Sequence, residues 1–291
     1  LGNLVVVDRF TTTTTNGTTT RRRGRDGMAD IVYGADQKGA IWKFDLESAA
    51  TSVTQPLFTT RTSTEGSLTY RQPITGGMTA VSGLGDGAML LFGTGSFSFN
   101  GDERDTTVQG LYGVNDNFPG QPTSTYTAAN LTPFTVGTTN GERTMTMGAT
   151  PSNRVGWTVT LPTSERFVGN PTVAAGVVFM PTYVPNQAQA GCSTEGSNWL
   201  YGLSSTSGVA ALQQARKASP DGTPVATGTA AIPLNTGGTS PVRDVGVTVV
   251  PRLANGTGPQ GQACWMAINA PGAEPLYIPY PCGRQSWRQL Q

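Results

Sequence analysis

The chain has 291 residues, a formal net charge of +1 and only 13% charged residues. That balance excludes a global field that would draw in nucleic acid or an anionic membrane, and no apolar run of about eighteen residues is present to span a bilayer as a helix. With no His and three Cys, the commonest general base and metal ligand is missing, and a zinc site of the usual spacing cannot be assembled.

Gly (38), Pro (20) and heavy use of Thr disfavour helices and suit short strands joined by turns. Leu4–Val7 reads as a buried strand ending at Asp8. No signal peptide precedes it, so a fragment lacking its N-terminal part is expected. Residues 9–25 are Thr-rich, carry Arg21, Arg22, Arg23 and Arg25, and have no apolar period; they are expected to loop into solvent. Asp26-Gly27-Met28-Ala29-Asp30 then has the form of the back half of a calcium loop. Ile31 to Leu46 reads as a hairpin about the turn Asp36-Gln37-Lys38-Gly39, where Gly closes the turn in a left-handed conformation. Residues 56–60 supply its outer strand. Further strands are expected at 74–81, 89–92 and 110–115.

A repeat emerges from these runs. Trp42-Lys43-Phe44-Asp45, Tyr112-Gly113-Val114-Asn115, Tyr201-Gly202-Leu203-Ser204 and Met266-Ala267-Ile268-Asn269 share a form, each after an apolar run at 31–33, 89–92, 177–183 and 245–250. The units differ mainly in their inserts, such as Gly95–Gln109 and Pro185–Ser197. Repeated β units that cannot bury their own faces predict an all-β fold: a modified β-propeller of about four blades, as a ring or as part of a seven-bladed one. The chain is accordingly read as one propeller domain, or the C-terminal part of one, with 9–25 inserted. Ser207–Ala218 is a candidate helix of two or three turns before Pro220. Cys264 and Cys282 flank a hairpin centred on Ala270-Pro271-Gly272 and could face each other across it; Cys192 would then be free or paired outside this chain.

Several collinear segments resemble the C-terminal propeller of PilY/PilC-type type IV pilus tip adhesins. They are Asp26 to Leu46, Leu91-Phe92-Gly93-Thr94-Gly95, Gly156-Trp157-Thr158-Val159-Thr160-Leu161-Pro162, Val177 to Pro185 with the following Cys192 and Ser197-Asn198-Trp199-Leu200, and Ser286-Trp287-Arg288-Gln289-Leu290. The resemblance implies a non-enzymatic, secreted protein at the pilus tip or cell surface. Its role would be pilus assembly, adhesion and control of retraction, with minor pilins and a host or surface receptor as partners. It also implies calcium in a loop after the first strand. Here Asp8 would supply the first ligand, Asp26 and Asp30 further carboxylates, and Met28 its main-chain carbonyl. The family's third-position ligand has no counterpart, because the 9–25 insertion separates Asp8 from Asp26.

Other readings compete for the same residues. The neighbouring Arg cluster could neutralise the Asp-Gly turn in place of a cation, or be a patch for anionic surfaces; a solvated loop is the simpler account. Asp102, Glu103 and Asp105 form an acidic cluster with the chemistry of a second cation site or a glycosidase pair, against the simpler reading of a hydrophilic loop. Trp42, Trp157, Trp199, Trp265 and Trp287 suit either a sugar-binding face or packing between blades. The alternative functions are a quinoprotein-like dehydrogenase propeller, for which no adjacent Cys pair or haem-attachment motif is found, and a carbohydrate-binding propeller.

Overall fold

The apolar runs become strands buried on both faces, which is why they read as continuous rather than alternating. A computed structural model describes residues 2–8, 12–15, 18–21, 29–46, 53–65, 68–117, 120–185, 196–235, 240–250 and 263–281. Among the described residues there is no α-helix, only strands and three single-turn 3-10 segments.

The strands group into four antiparallel meanders in an all-β, propeller-like fold. Blade 1 comprises Leu4–Val7, Ile31–Ala35, Ala40–Asp45 and Phe58–Thr59. Blade 2 comprises Met78–Ser82, Ala88–Gly93, Gly110–Asp116 and Gly156–Thr160. Blade 3 comprises Thr172–Ala174, Val177–Val184, Ser197–Ser204 and Thr229–Leu234. Blade 4 comprises Gly246–Val250, Ala263–Asn269, Leu276–Pro281 and the short outer strand Arg216–Lys217.

The repeat seen in the sequence is real for three units and one strand out of phase in the fourth. Tyr112 and Tyr201 lie on the third strands of their blades, as does Trp42, whereas Met266 lies on a second strand. The apolar run before Met266 is therefore the innermost strand of blade 4. Apolar content cannot separate these positions, because inner and second strands are both apolar.

Strand parity sorts side chains between blades. On Ala88–Gly93, Leu90 and Phe92 point to the core shared with blade 1, and Met89 and Leu91 to the core shared with blade 3. On Val177–Val184, Val178 and Met180 face blade 2 while Phe179 faces blade 4. In the first of these cores Phe92 stacks on Tyr112 at 5.2 Å, with Phe58 edge-on to both. The residues leading into successive inner strands are hydrogen-bonded in series. Asn3 Nδ2 donates to the Gly76 carbonyl (3.1 Å), Gly77 N–H to Gly169 (2.8 Å) and Asn170 N–H to Arg243 (2.7 Å). Gly169 permits this approach, since a Cβ there would lie 2.5 Å from the Arg243 carbonyl oxygen.

The inserts between third and outer strands lace neighbouring blades together. Tyr126–Thr127 leaves blade 2 to pair in parallel with Phe58–Thr59 of blade 1. The hairpin Leu131–Thr139 and Glu142–Met147 pairs on one side with Gly156–Thr160 and on the other with Thr229–Leu234. It thereby fuses blades 2 and 3 into one ten-stranded sheet.

One expectation is corrected, and one segment takes a more regular form than its composition suggested. Ser207–Ala218 is not helical: Gly208 takes φ +75°, Ala210 bridges to Leu203, and Arg216–Lys217 joins blade 4. Leu212 and Ala215 sit in the core between blades 3 and 4, so tertiary burial overrides a weak helical tendency. Within the 9–25 insertion, Thr12–Thr15 and Thr18–Arg21 pair as an antiparallel ribbon in the register Thr15↔Thr18. The Asn16-Gly17 dipeptide between them is a strong short-range hairpin signal.

Candidate functional site

The strand pair that opens blade 1 carries the first candidate site. Val7 faces Ile31, and the Asp30 N–H donates to the Val7 carbonyl at 3.1 Å. The backbone thus brings Asp8 and Asp30 to the same end of the pair, with Asp30 buried and Asp8 half-buried. Asp26 and Met28 lie outside the described residues. The two placed carboxylates are hard oxygen donors of the kind calcium takes. Among the described residues no group of three or more His, Cys, Asp or Glu is gathered to hold a metal.

Deeper in the same blade interface lies a charged cluster that sequence reading missed. Lys43 Nζ is 2.8 Å from Asp116 Oδ2, and the Tyr33 hydroxyl donates to the same oxygen at 2.6 Å. Both charged side chains are essentially fully buried. Parity was the available signal, since Lys43 shares a strand face with the buried Ile41.

The second candidate site is on the loops. The turn of the first hairpin is fixed by Asp36, whose carboxylate accepts from the amides of Lys38 and Ala40 and from Trp42 Nε1, each at 2.9 Å. Gly39 closes it at φ +74°, as expected. The blade 2 insert is held as firmly. Asp102 Oδ2 accepts from the Ser96 hydroxyl (2.7 Å) and from the amides of Ser98 (2.8 Å) and Phe99 (2.9 Å). Burial pushes the Asp102 carboxyl up, but these donors and the Arg166 guanidinium outweigh it and hold the group below its usual range. The buried guanidinium of Arg166 donates to the carbonyls of Ser164 (3.2 Å), Ser96 (3.0 Å), Asp105 (2.7 Å) and Asp102. Nothing in the pattern around Ser164-Glu165-Arg166 announced this role. The acidic cluster at 102–105 is therefore a loop closed on itself around Arg166.

Beside this loop is a cleft of about 690 Å³. Lys38, Tyr70, Arg71, Pro73, Arg104 and Asp105 are among its walls. The described tryptophans do not form a common face. Trp157 is buried between blades 2 and 3 and donates to the Ser205 carbonyl (3.0 Å), and Trp199 is capped by Arg143 at 4.1 Å from its ring centre. Trp42 and Trp265 are half-buried, and Trp287 lies outside the described residues. Cys264 is disulfide-bonded, while Cys192 and Cys282 lie outside the described residues. No helix among the described residues is long and apolar enough to cross a membrane.

Comparison with known proteins adds one decisive observation. The chain is 31% identical over 331 aligned residues to a type IV pilus biogenesis factor PilY1 homolog of Xylella fastidiosa; the match covers all of this chain and 21% of that protein. Over its whole length the chain is PilY1-like. It spans about a fifth of the length of the curated relative it matches. No family model matches the chain, and no solved structure matches it. In this PilY1-like chain, both candidate sites fall on loops and strand ends around a rigid sheet scaffold, where such folds carry function.

Proposed function

We propose that this chain is a non-enzymatic propeller portion of a type IV pilus biogenesis factor, acting at the pilus tip or cell surface. The reading is carried by the end-to-end similarity to a protein bearing that name. In it, the propeller sits on minor pilins that prime the pilus, and its laced loops face outward to a host or surface receptor. Deleting the segment that encodes this chain from the full-length gene should abolish surface pili and twitching motility. Normal piliation and motility in that strain would overturn the proposal.

Calcium is the ion this reading assigns to the loop between the first two strands of blade 1. Asp8 and Asp30, which share one strand end, would hold it with Asp26 and the Met28 carbonyl. Bound there, the divalent charge would tie the insertion to the blade and bias pilus retraction. Calorimetric titration of the chain should show one saturable calcium site that Asp26→Ala and Asp30→Ala remove. An absence of binding at millimolar calcium would leave the Arg-neutralised turn as the better account.

A further inference from the structure

We propose that the cleft between the first-hairpin turn and the blade 2 insert binds an acidic oligosaccharide, a short chain bearing sugar carboxylates. This stands on the cleft alone and does not depend on the pilus reading. Three cations from three separate segments converge on it: Lys38 from the hairpin turn, Arg71 from the strand Leu68–Arg71, and Arg104 from the insert. Lys38 and Arg71 form no ion pair among the described residues; Arg71 Nη1 donates to the Thr60 carbonyl at 3.2 Å. Arg104 has one ion pair, long and exposed, to Glu103 at 3.7 Å. Some cations elsewhere are held by buried partners, Lys43 by Asp116, Arg143 by Glu165 and Arg166 by carbonyls, whereas among the described residues Arg61 and Arg216 make only neutral hydrogen bonds, to the Thr160 hydroxyl and the Gly222 carbonyl.

The wall also carries two carboxylates, Asp102 and Asp105, each hydrogen-bonded within its own loop. Asp102 Oδ2 is taken by three donors of its own loop, and Asp105 Oδ1 accepts from the Thr107 amide at 2.8 Å. The three cations outnumber these two carboxylates by one, the carboxylates are engaged by their own loop, and an Arg fork suits a planar carboxylate. Tyr70 is half-buried in the same wall, with an apolar ring against which the C–H face of a pyranose can pack. Apart from Tyr70, Pro73 is the one apolar side chain in the wall, so the cleft lacks the anchor pockets that a peptide would need. Its volume lies within the ~300–1,000 Å³ typical of small-ligand clefts. Arg166 and Asp36 hold two of its rims in place before any ligand arrives, which lowers the ordering cost of binding.

The test is calorimetric titration of the chain with a uronic-acid trisaccharide and with its methyl ester, which has the same ring shape without the charge. The acid should bind and the ester should not. Lys38→Ala and Arg71→Gln should each weaken binding at least tenfold, and Tyr70→Ala should do so without changing the salt dependence. Lys38 is on an exposed turn, so its replacement leaves folding intact, and an unchanged melting temperature checks this for each variant. Equal binding of acid and ester, or binding unaffected by Lys38→Ala and Arg71→Gln, would overturn the proposal, as would no binding at all. A glutamate-rich peptide that competes equally well would also overturn it and would identify an acidic-peptide site. Failure here leaves the piliation test untouched, and failure of the piliation test leaves this titration unchanged.

Discussion

Lys43 and Arg166 are both cations removed from water, yet they are compensated in different ways. Lys43 meets a full negative charge, Asp116, across the interface of blades 1 and 2. Arg166 meets backbone carbonyls, three of them from one loop. The first arrangement joins two blades, and its loss strands a buried carboxylate. The second shapes a loop on one blade, and its loss leaves neutral acceptors that water can reach once the loop opens. The compensating partner thus decides whether a buried charge supports the whole fold or one functional edge.

The largest effect expected from this contrast is at the ion pair. Lys43→Met should destabilise the chain by about 3–5 kcal/mol in denaturant unfolding, because Asp116 remains buried without its countercharge. Adding Asp116→Leu should restore much of the loss; a strictly additive double mutant would break the argument. Arg166→Met should cost less, about 1–3 kcal/mol. Its distinguishing mark is local: amide exchange should quicken across 98–105 and stay unchanged in Ile31–Ala35. Uniform quickening would mean that Arg166 supports the fold rather than the loop.

A third pair, Arg143 and Glu165, sharpens the comparison through pH. Burial holds Glu165 above the usual carboxylate range, against the pull of the Thr182 hydroxyl and Arg143. A raised folded-state value means that the folded chain holds this proton more tightly than the unfolded one. The resulting stability is full below the ordinary Glu value of about 4.3 and declines as pH rises through the folded value. Glu165→Gln should therefore flatten that decline in a series of melting temperatures against pH; an identical slope in the variant would exclude Glu165 as its source. The smallest effect is at Glu142, where burial raises the carboxyl but Lys217 and Thr229 outweigh it and leave it lowered. Its contribution is present above the ordinary range and lost as pH falls through the folded value. Because Lys217 is partly exposed, Glu142→Ala should cost below about 1 kcal/mol, mostly from the Thr229 hydrogen bond.

Much of the fold was legible because the evidence for it is local. Leu90 and Met89 belong to one continuous apolar run, and such runs mark strands buried on both faces. The turn at Asp36–Gly39 follows from its residue types alone. The fourth repeat was misphased because Val247 and Ile268 look alike to any hydropathy pattern, although one is on an inner strand and the other on the next. Of the first candidate site, the calcium-loop pattern marked Asp30 and the family resemblance marked Asp8, and the strand register puts them at one strand end. The cleft was not legible, because Lys38, Arg71 and Arg104 are unremarkable singly and come from three separate segments.

What the sequence by itself determined is the all-β class, the strands, the tight turns and the repeat of the first three units. These rest on side-chain period and on the backbone preferences of Gly, Pro and Asp, which act over a few residues. Only the tertiary structure decided which insert laces to which blade, and which charges are matched or left facing a cleft. Arg166 finds the Ser96 carbonyl 70 residues away. Such partners are selected by the cost of burying an unpaired charge, and that cost exists only once the blades have packed.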